Sequence, residues 1–379
     1  MKLNEIATIT MGQSPDSASY NIVREGIPFF QGNADFGKAH PNVRVWCSSP
    51  KKYAHKDDIL ISVRAPIGAL NVADQECCIG RGLAAIQVVS LKCLKDYIFY
   101  FLSSRVPELN AKGTGSTFKA ISKGILENIE IPLISLEEQR EIVKNLEDID
   151  QAIEMCNLLT EKTEDLVKSR FIELFGDPVT NPKGWKMGFL SECLQKIESG
   201  KSFICDSNER QGTSPGLLKL SAATYGVYNP QENKALHSDA DFVKQAEIHA
   251  GDLLFTRKNT PDLVGMCAYV WQTPENLMMP DLIFRLIPNK NIHPIFLWKL
   301  INHDVFRPKI KKLATGSAQS MSNISQERLK SLVVFVPPLD LQNEFAAFVE
   351  QADKSKLVIQ ELLKKHELLK EALLQKYFG

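Results

Sequence analysis

Several fragments of this 379-residue chain look like parts of catalytic centres, and each lacks the partner its chemistry needs. Gly200-Lys201-Ser202 has the ending of a phosphate-binding loop, but the required earlier glycine is Gln195. Gly113-Thr114-Gly115 lacks the third glycine of a dinucleotide fingerprint. Asn181-Pro182 and Asn229-Pro230 lead to Lys183 and Gln231, not to the proline and aromatic residue that an adenine methyltransferase places there. Pro15-Asp16, Pro261-Asp262 and Pro280-Asp281 are not followed by Glu/Asp-x-Lys at nuclease spacing. The seven histidines are scattered without metal-ligand spacing, and the eight cysteines form no Cys-x-x-Cys pair. The expectation is a chain with no catalytic centre, no metal and no cofactor.

What the chain does carry is planar and cationic side chains beside glycines. Asn and Gln pair with adenine edges, and Arg and Lys with guanine. The segments Gln31-Gly-Asn-Ala-Asp-Phe-Gly-Lys38 and Leu220-Ser-Ala-Ala-Thr-Tyr-Gly226 occupy corresponding places in two halves of the chain but differ in composition. Gln31, Asn33 and Lys38 in the first, and Ser221, Thr224 and Tyr225 in the second, are the candidate base readers. Phosphate contacts need only cations and backbone amides. Arg64 and Arg81, which sit near glycines, are candidates, as are Lys112, Gly115 and Lys119 around the first Thr-Gly-Ser loop. Arg257 and Lys258, which end a strand, are candidates in the second half, with Lys309, Lys311, Lys312 and Gly316 around its Thr-Gly-Ser loop. Solubilising surface lysines are the alternative for each.

One long helix separates these segments and a second follows them. Residues 135–176 open with Ser135 and Glu138, a capping box, and continue with Ile142, Leu146, Ile149, Ile153, Cys156, Val167 and Leu174 at steps of four and three or their multiples. Leu159 and Leu166 are expected to thicken that stripe, and Gly176 followed by Asp177-Pro178 stops the helix. At about 1.5 Å per residue it is roughly 60 Å long, a spacer or coiled-coil arm. A shift of 203 positions lays Ile121–Gly176 on Ile324–Gly379 without a gap. Gln139/Gln342, Glu141/Glu344, Asp150/Asp353 and Phe175-Gly176/Phe378-Gly379 are among the matches, so the chain contains an internal repeat. The second helix offers Phe345, Phe348, Ala352, Ile359, Leu362, Leu369 and Leu373, with His366 interrupting the stripe.

The repeat extends more weakly upstream. Gly12 matches Gly200, and Asp58-Ile-Leu-Ile-Ser62 matches Asp252-Leu-Leu-Phe-Thr256. Each block shows short Val/Ile/Phe-rich runs, a helical segment at Asp96–Ser104 or Pro294–Asn302, a Gly/Ser/Thr loop, and a last strand near Ile129–Ile131 or Leu332–Val336. The fold class is α+β, in the order block, helix, block, helix. The boundaries are 1–134, 135–176, 177–338 and 339–379. Residues 1–120 carry fourteen basic and ten acidic side chains, and residues 177–338 nineteen and fifteen; residues 135–176 carry five and eleven. Mildly basic blocks suit a polyanion and an acidic helix suits protein partners, with Glu137, Glu138 and Glu141 as candidates. No signal segment or membrane-length apolar run is present, and a reduced, cytoplasmic protein without membrane contact is expected.

The pattern resembles the DNA-specificity subunit of type I restriction-modification systems over the whole chain. It is carried by Ile131-Pro-Leu-Ile-Ser-Leu-Glu-Glu-Gln139 with Val336-Pro-Pro-Leu-Asp-Leu-Gln342, by Leu174-Phe-Gly-Asp-Pro178 leading to Asn181-Pro-Lys-Gly-Trp185, and by Gly251-Asp-Leu-Leu254. Asp57 stands where the second block has Gly251, and the first block lacks the Pro182–Trp185 entry. The resemblance implies two target-recognition domains, each reading half of a bipartite double-stranded DNA site. It also implies two antiparallel long helices that form a rigid spacer with an internal pseudo-twofold repeat. Two methyltransferase subunits would dock on it, with restriction subunits joining where the host has them. The subunit itself would be non-catalytic. The other readings are a non-catalytic coiled-coil scaffold whose blocks bind protein or RNA, and an enzyme with an unrecognised centre.

Overall fold

The computed structural model describes residues 1–115, 119–316 and 321–379; Ser116 and Ser317, which end the two Thr-Gly-Ser loops, lie outside them. The chain divides into two units, Met1–Leu158 with Gln360–Gly379, and Leu159–Ile359.

The main strands of the first unit are β1 (Ala7–Met11), β2 (Ile27–Phe30), β3 (Ile59–Ser62), β4 (Leu70–Val72), β5 (Cys77–Ile79) and β6 (Leu83–Val88). An antiparallel sheet runs in the order β1-β6-β3-β4, while β2 lies parallel to β5 in another sheet. The central strands β3 and β6 carry the apolar runs Ile59-Leu-Ile61 and Leu83-Ala-Ala-Ile86 because both faces are covered there. Ile59, Ile61, Ala84 and Ile86 face a core shared with Tyr97, Ile98 and Phe101 of helix α1 (Lys95–Ser104). Leu60, Leu83 and Ala85 face a second core with Phe30 and Ile79. The strand expected at Ile129–Ile131 is a single bridge, Lys2 to Glu130.

Helix α2 spans Leu136–Phe175. Its start is capped as the sequence indicates: the Ser135 hydroxyl accepts from the Glu138 N–H at 3.2 Å, and the Glu138 carboxylate accepts from the Ser135 N–H at 2.9 Å. Gln139, fully buried, accepts from the Leu94 N–H that opens α1 (2.8 Å) and donates to the carbonyls of Lys92 (2.9 Å) and Ile134 (3.0 Å). Inside this unit residues 136–158 run antiparallel to residues 360–378. Asn145 donates to the Tyr377 hydroxyl at 3.1 Å, Lys370 pairs with Asp150, and Cys156 lies 4.0 Å from His366 Nδ1. Phe378 is buried against Tyr97 and Phe101, with ring centroids 5.4 and 5.6 Å away.

The second unit has β7 (Leu194–Ser199), β8 (Gly216–Leu218), β9 (Leu253–Thr256), β10 (Cys267–Tyr269), β11 (Leu277–Met278) and β12 (Ile283–Pro288), then helix α3 (Pro294–Asn302). Its antiparallel sheet runs β7-β12-β9-β10, and β8 lies parallel to β11. Leu253, Phe255, Phe284 and Leu286 face α3, whereas Leu254 and Ile283 face the other core. Val333–Val336 pairs with Lys186–Phe189. Helix α4 spans Leu339–Phe378, and its buried Gln342 accepts from the His293 N–H at 2.8 Å and donates to the carbonyls of Asn291 (3.1 Å) and Pro337 (2.8 Å). Residues 159–175 and 339–359 are antiparallel here, through Glu164–Lys356 at 2.6 Å, Arg170–Glu344, and Phe171–Phe345 with centroids 5.5 Å apart. Phe175 is buried between Phe296 and Phe345.

Further expectations change. Leu362 and Leu369, expected on the stripe of the second helix, are 43% and 48% exposed, because Leu363, His366 and Lys370 take the half-buried positions there. Leu159 and Leu166 do not thicken the buried stripe: they are 45% and 55% exposed, because Val167 and Phe171 take the inward positions. Asp57, which stands where the second block has Gly251, makes the same left-handed turn, with φ of 71° against 93°. Asp tolerates that region through local hydrogen bonding of its short polar side chain. Among the described residues no helix is long and apolar enough to cross a membrane.

Candidate nucleic-acid interface

The first unit gathers three loops at one end of its sheets. After β1, Gly12 donates to the Leu83 carbonyl (2.8 Å) and Gln13 to the Ile79 carbonyl (3.0 Å). After β5, the Arg81 N–H donates to the Ser14 hydroxyl at 3.3 Å. After β2, Gln31 sits on that loop, with its side-chain Oε1 and Nε2 at 3.1 and 3.0 Å from the same Ser14 oxygen. Asp35 accepts from the backbone N–H of Gln31 (2.7 Å) and of Gly32 (3.4 Å) and pairs with Arg44, so the bend after β2 is fixed. A strip continues from this corner. Val63 donates to the Gly82 carbonyl (2.9 Å), Arg64 bridges Ala120, Ala65 donates to the Lys119 carbonyl (3.2 Å), and Thr114 pairs with Ala120. The structure therefore brings Gln31, Arg81, Arg64, Lys119 and the Gly115 backbone onto one continuous run of loops.

The second unit makes its corner with corresponding bonds. Gly200 donates to the Ile283 carbonyl (3.4 Å), Lys201 to the Met279 carbonyl (3.1 Å), and the Asp281 N–H to the Ser202 hydroxyl (3.2 Å). That hydroxyl donates in turn to the Asp281 carboxylate. Leu217 pairs with Met278 as Phe29 pairs with Cys78, so the residue matching Gln31 is Lys219, not Leu220 as the sequence comparison suggested. Beside it lies a groove of about 350 Å³, lined among others by Ser202, Lys219, Lys234 and Pro280. The strip follows through Arg257, which donates N–H to the Leu282 carbonyl (3.0 Å), and through Lys258 paired with Asn323, which also pairs with Thr315.

Among the described residues no three or more His, Cys, Asp or Glu side chains gather as a metal site. Burial pushes the Cys77 thiol up to about 12 and the Cys78 thiol up to about 11, so neither supplies a thiolate.

Comparison with known proteins gives the geometry its context. The model of a family described as the type I restriction modification DNA specificity domain matches residues 1–164 and 182–369. The chain belongs to this family. The relatives it matches are named as specificity subunits of type I restriction enzymes. A protein provisionally named the type I restriction enzyme MjaX specificity subunit, from Methanocaldococcus jannaschii, is 48% identical over 160 residues, 42% of this chain and 38% of its own. The type I restriction enzyme EcoBI specificity subunit of Escherichia coli is 20% identical over all of this chain and 85% of its own. The EcoEI subunit, also from Escherichia coli, is 30% identical over 46% of this chain and 30% of its own. The chain thus spans about a third of the length of the MjaX and EcoEI subunits, 38% and 30%. The solved type-I restriction-modification system S subunit from M. genitalium shares the fold, with a TM-score of 0.62 and 16% identity over 100% of this chain and 95% of that one.

Within this specificity-family chain, the remaining candidates fall in different places. Asn33 opens the 3-10 turn Asn33–Asp35 next to the corner. Lys38 lies 3.9 Å from Glu154, beside α2. Ser221 donates to Glu232 at 2.6 Å; the Ser221 bond and then the Lys219 charge hold that carboxylate below its usual range. Thr224 is 5% exposed, donating to the Leu220 carbonyl and accepting from Asn259, and so has no hydroxyl to offer a base. Tyr225 is 71% exposed. Lys112 pairs with Glu108 at 2.6 Å and Lys311 with Asp262 at 3.2 Å, while Lys309 lies over the Phe306 ring. Lys312 and Gly316 are exposed. Arg257 donates to the Asn323 side chain at 3.1 Å and its guanidinium covers Phe284. Glu137 and Glu141 are exposed and Glu138 is occupied as the cap. Sequence reasoning missed Gln13, Ser14, Lys201, Ser202, Lys219 and Asp281. The Gly12/Gly200 match was the available signal, because each glycine sits where a Cβ would meet a carbonyl oxygen at 2.1 or 2.2 Å.

Proposed function

We propose that this chain is the DNA-specificity subunit of a type I restriction-modification complex, with each unit reading one half of a bipartite double-stranded DNA site. The observation that carries this reading is the pair of corners: corresponding backbone bonds, at the same places in two sheets of like strand order, present different polar side chains. One scaffold used twice with altered tips is what two unlike half-sites require. On this reading residues 1–134 and 177–338 are the target-recognition domains, and residues 135–176 and 339–379 are the spacer helices. The 203-residue shift and the antiparallel contacts within each unit support an internal repeat and a coiled-coil-like pairing.

Methyltransferase subunits, and restriction subunits where present, dock on the helices. Exposed apolar side chains on the helical segments support this, with Leu158, Leu368 and Leu369 in the first unit and Leu166, Ile172 and Val358 in the second. The acidic residues Glu137 and Glu141 lie exposed at the start of α2. Titrating the assembled complex against duplex DNA at rising salt tests the reading. Neutralising several phosphates makes log K fall linearly with log salt, at about −0.9 per phosphate contacted. Salt-independent binding, or no duplex binding, favours the scaffold reading instead.

A further inference from the structure

Resting on the DNA-specificity reading, the geometry points to one three-residue reading head per unit: Gln13, Gln31 and Arg81 in the first, and Lys201, Lys219 and Asp281 in the second. The positions correspond through backbone bonds, not through side-chain similarity. Gln13 and Lys201 donate to the carbonyls of Ile79 and Met279 at 3.0 and 3.1 Å. Arg81 and Asp281 donate to the hydroxyls of Ser14 and Ser202 at 3.3 and 3.2 Å. Gln31 and Lys219 each leave the strand that runs parallel to the one before that loop. Neither frame has room to drift, since a Cβ on Gly12 would stand 2.1 Å from the Gly80 oxygen, and one on Gly200 2.2 Å from the Met279 oxygen.

The chemistry of the two heads differs although their net charge does not. The first has two amides and one guanidinium; the second has two ammonium groups and one carboxylate, so each carries +1. Attraction to phosphate would give no reason to place Asp281 there, because a carboxylate facing DNA is repelled by the backbone. It is useful where a base amino group donates to it, as cytosine N4 does. Asp281 therefore reads a cytosine, with the exposed Lys201 on a guanine edge. Lys219 is shared with Glu232 at 3.6 Å and is the weaker cation of that head. In the first head Arg81 forks onto guanine O6 and N7, and Gln31 pairs with an adenine. Ser14 and Ser202 are positioning residues: Ser14 holds the Gln31 amide and Ser202 holds the Asp281 carboxylate.

The test begins with the full chain assembled with its methyltransferase subunit and a genome-wide map of methylated sites, which defines the recognised motif. Duplexes carrying that motif, with each of the four base pairs at every position, then compete for wild type, Arg81→Gln and Asp281→Asn complexes. Arg81→Gln is expected to lose about 5- to 150-fold of preference at one G·C position in one half-site. Asp281→Asn loses preference at one C·G position in the other half-site only. Ser14→Ala, which keeps all three head side chains, weakens preference at the adenine position of the first half-site. By contrast Arg64→Ala weakens binding to all duplexes alike. Unchanged preference at every position, or a uniform loss across duplexes for Arg81→Gln and Asp281→Asn, overturns the reading heads. A wild-type complex that methylates no preferred motif overturns the DNA-specificity reading itself, so the two failures are distinguishable.

Discussion

Gln139 and Gln342 are both fully buried, and each ties the start of a long helix to the first turn of a shorter one through three hydrogen bonds. Truncation strands a backbone N–H and two carbonyls in a dry place, which costs about 1–3 kcal/mol. Gln139→Ala is therefore expected to lower the denaturation midpoint measurably without changing which base pairs are preferred. A pH effect belongs at the same scale. His303 has both ring nitrogens buried without a hydrogen-bond partner among the described residues, beside Phe171, Asp304, Asp177 and Lys168, and burial holds its pKa below the ordinary 6.5. A depressed histidine pKa leaves full stability above the unfolded value, and that stability is lost as pH falls below 6.5 and through the folded pKa. Denaturation series from pH 7.5 downward should show His303→Gln losing less stability below pH 6.5 than wild type.

At the scale of elements, burial sorts the helix residues more sharply than their spacing does. Phe171 is packed among Phe175, Phe296, Phe335 and Phe345, whereas Leu166 is more than half exposed. Phe171→Ala should destabilise by about 3–5 kcal/mol. Leu166→Ala should change stability by no more than about 0.5 kcal/mol and yet weaken assembly with the methyltransferase subunit, read by size-exclusion chromatography. The long helices were legible because a capping box, a stripe and a Phe-Gly stop agree with one another, and Leu136–Phe175 departs from the expected span by one residue at each end. Which leucines lie inward was not legible, since Leu166 and Val167 are adjacent and equally apolar. The central strands were readable from runs such as Ile59–Ile61. The corners were not, because Gly12, Gln31 and Arg81 are far apart in sequence and are joined through backbone bonds and the Ser14 hydroxyl. Thr224 shows the converse: a hydroxyl in a polar segment looked available, but the short helix Ser221–Thr224 turns it inward to Asn259.

For the molecule as a whole, the account expects recognition without chemistry. The rigorously purified chain should transfer no methyl group and cut no DNA. The catalytic fragments read in the sequence serve elsewhere: Ser202 of the incomplete phosphate loop and Asp281 of the incomplete nuclease motif bond each other in the second corner. The most direct measurement is a methylation map of cells in which this chain is co-expressed with a methyltransferase subunit, made for wild type and for a chain whose segment 26–46 is exchanged for that of a relative. The account predicts a motif of two unlike halves separated by a fixed unspecified gap, with only one half altered by the exchange. A map without a bipartite motif, or one in which the exchange alters both halves or neither, would contradict it.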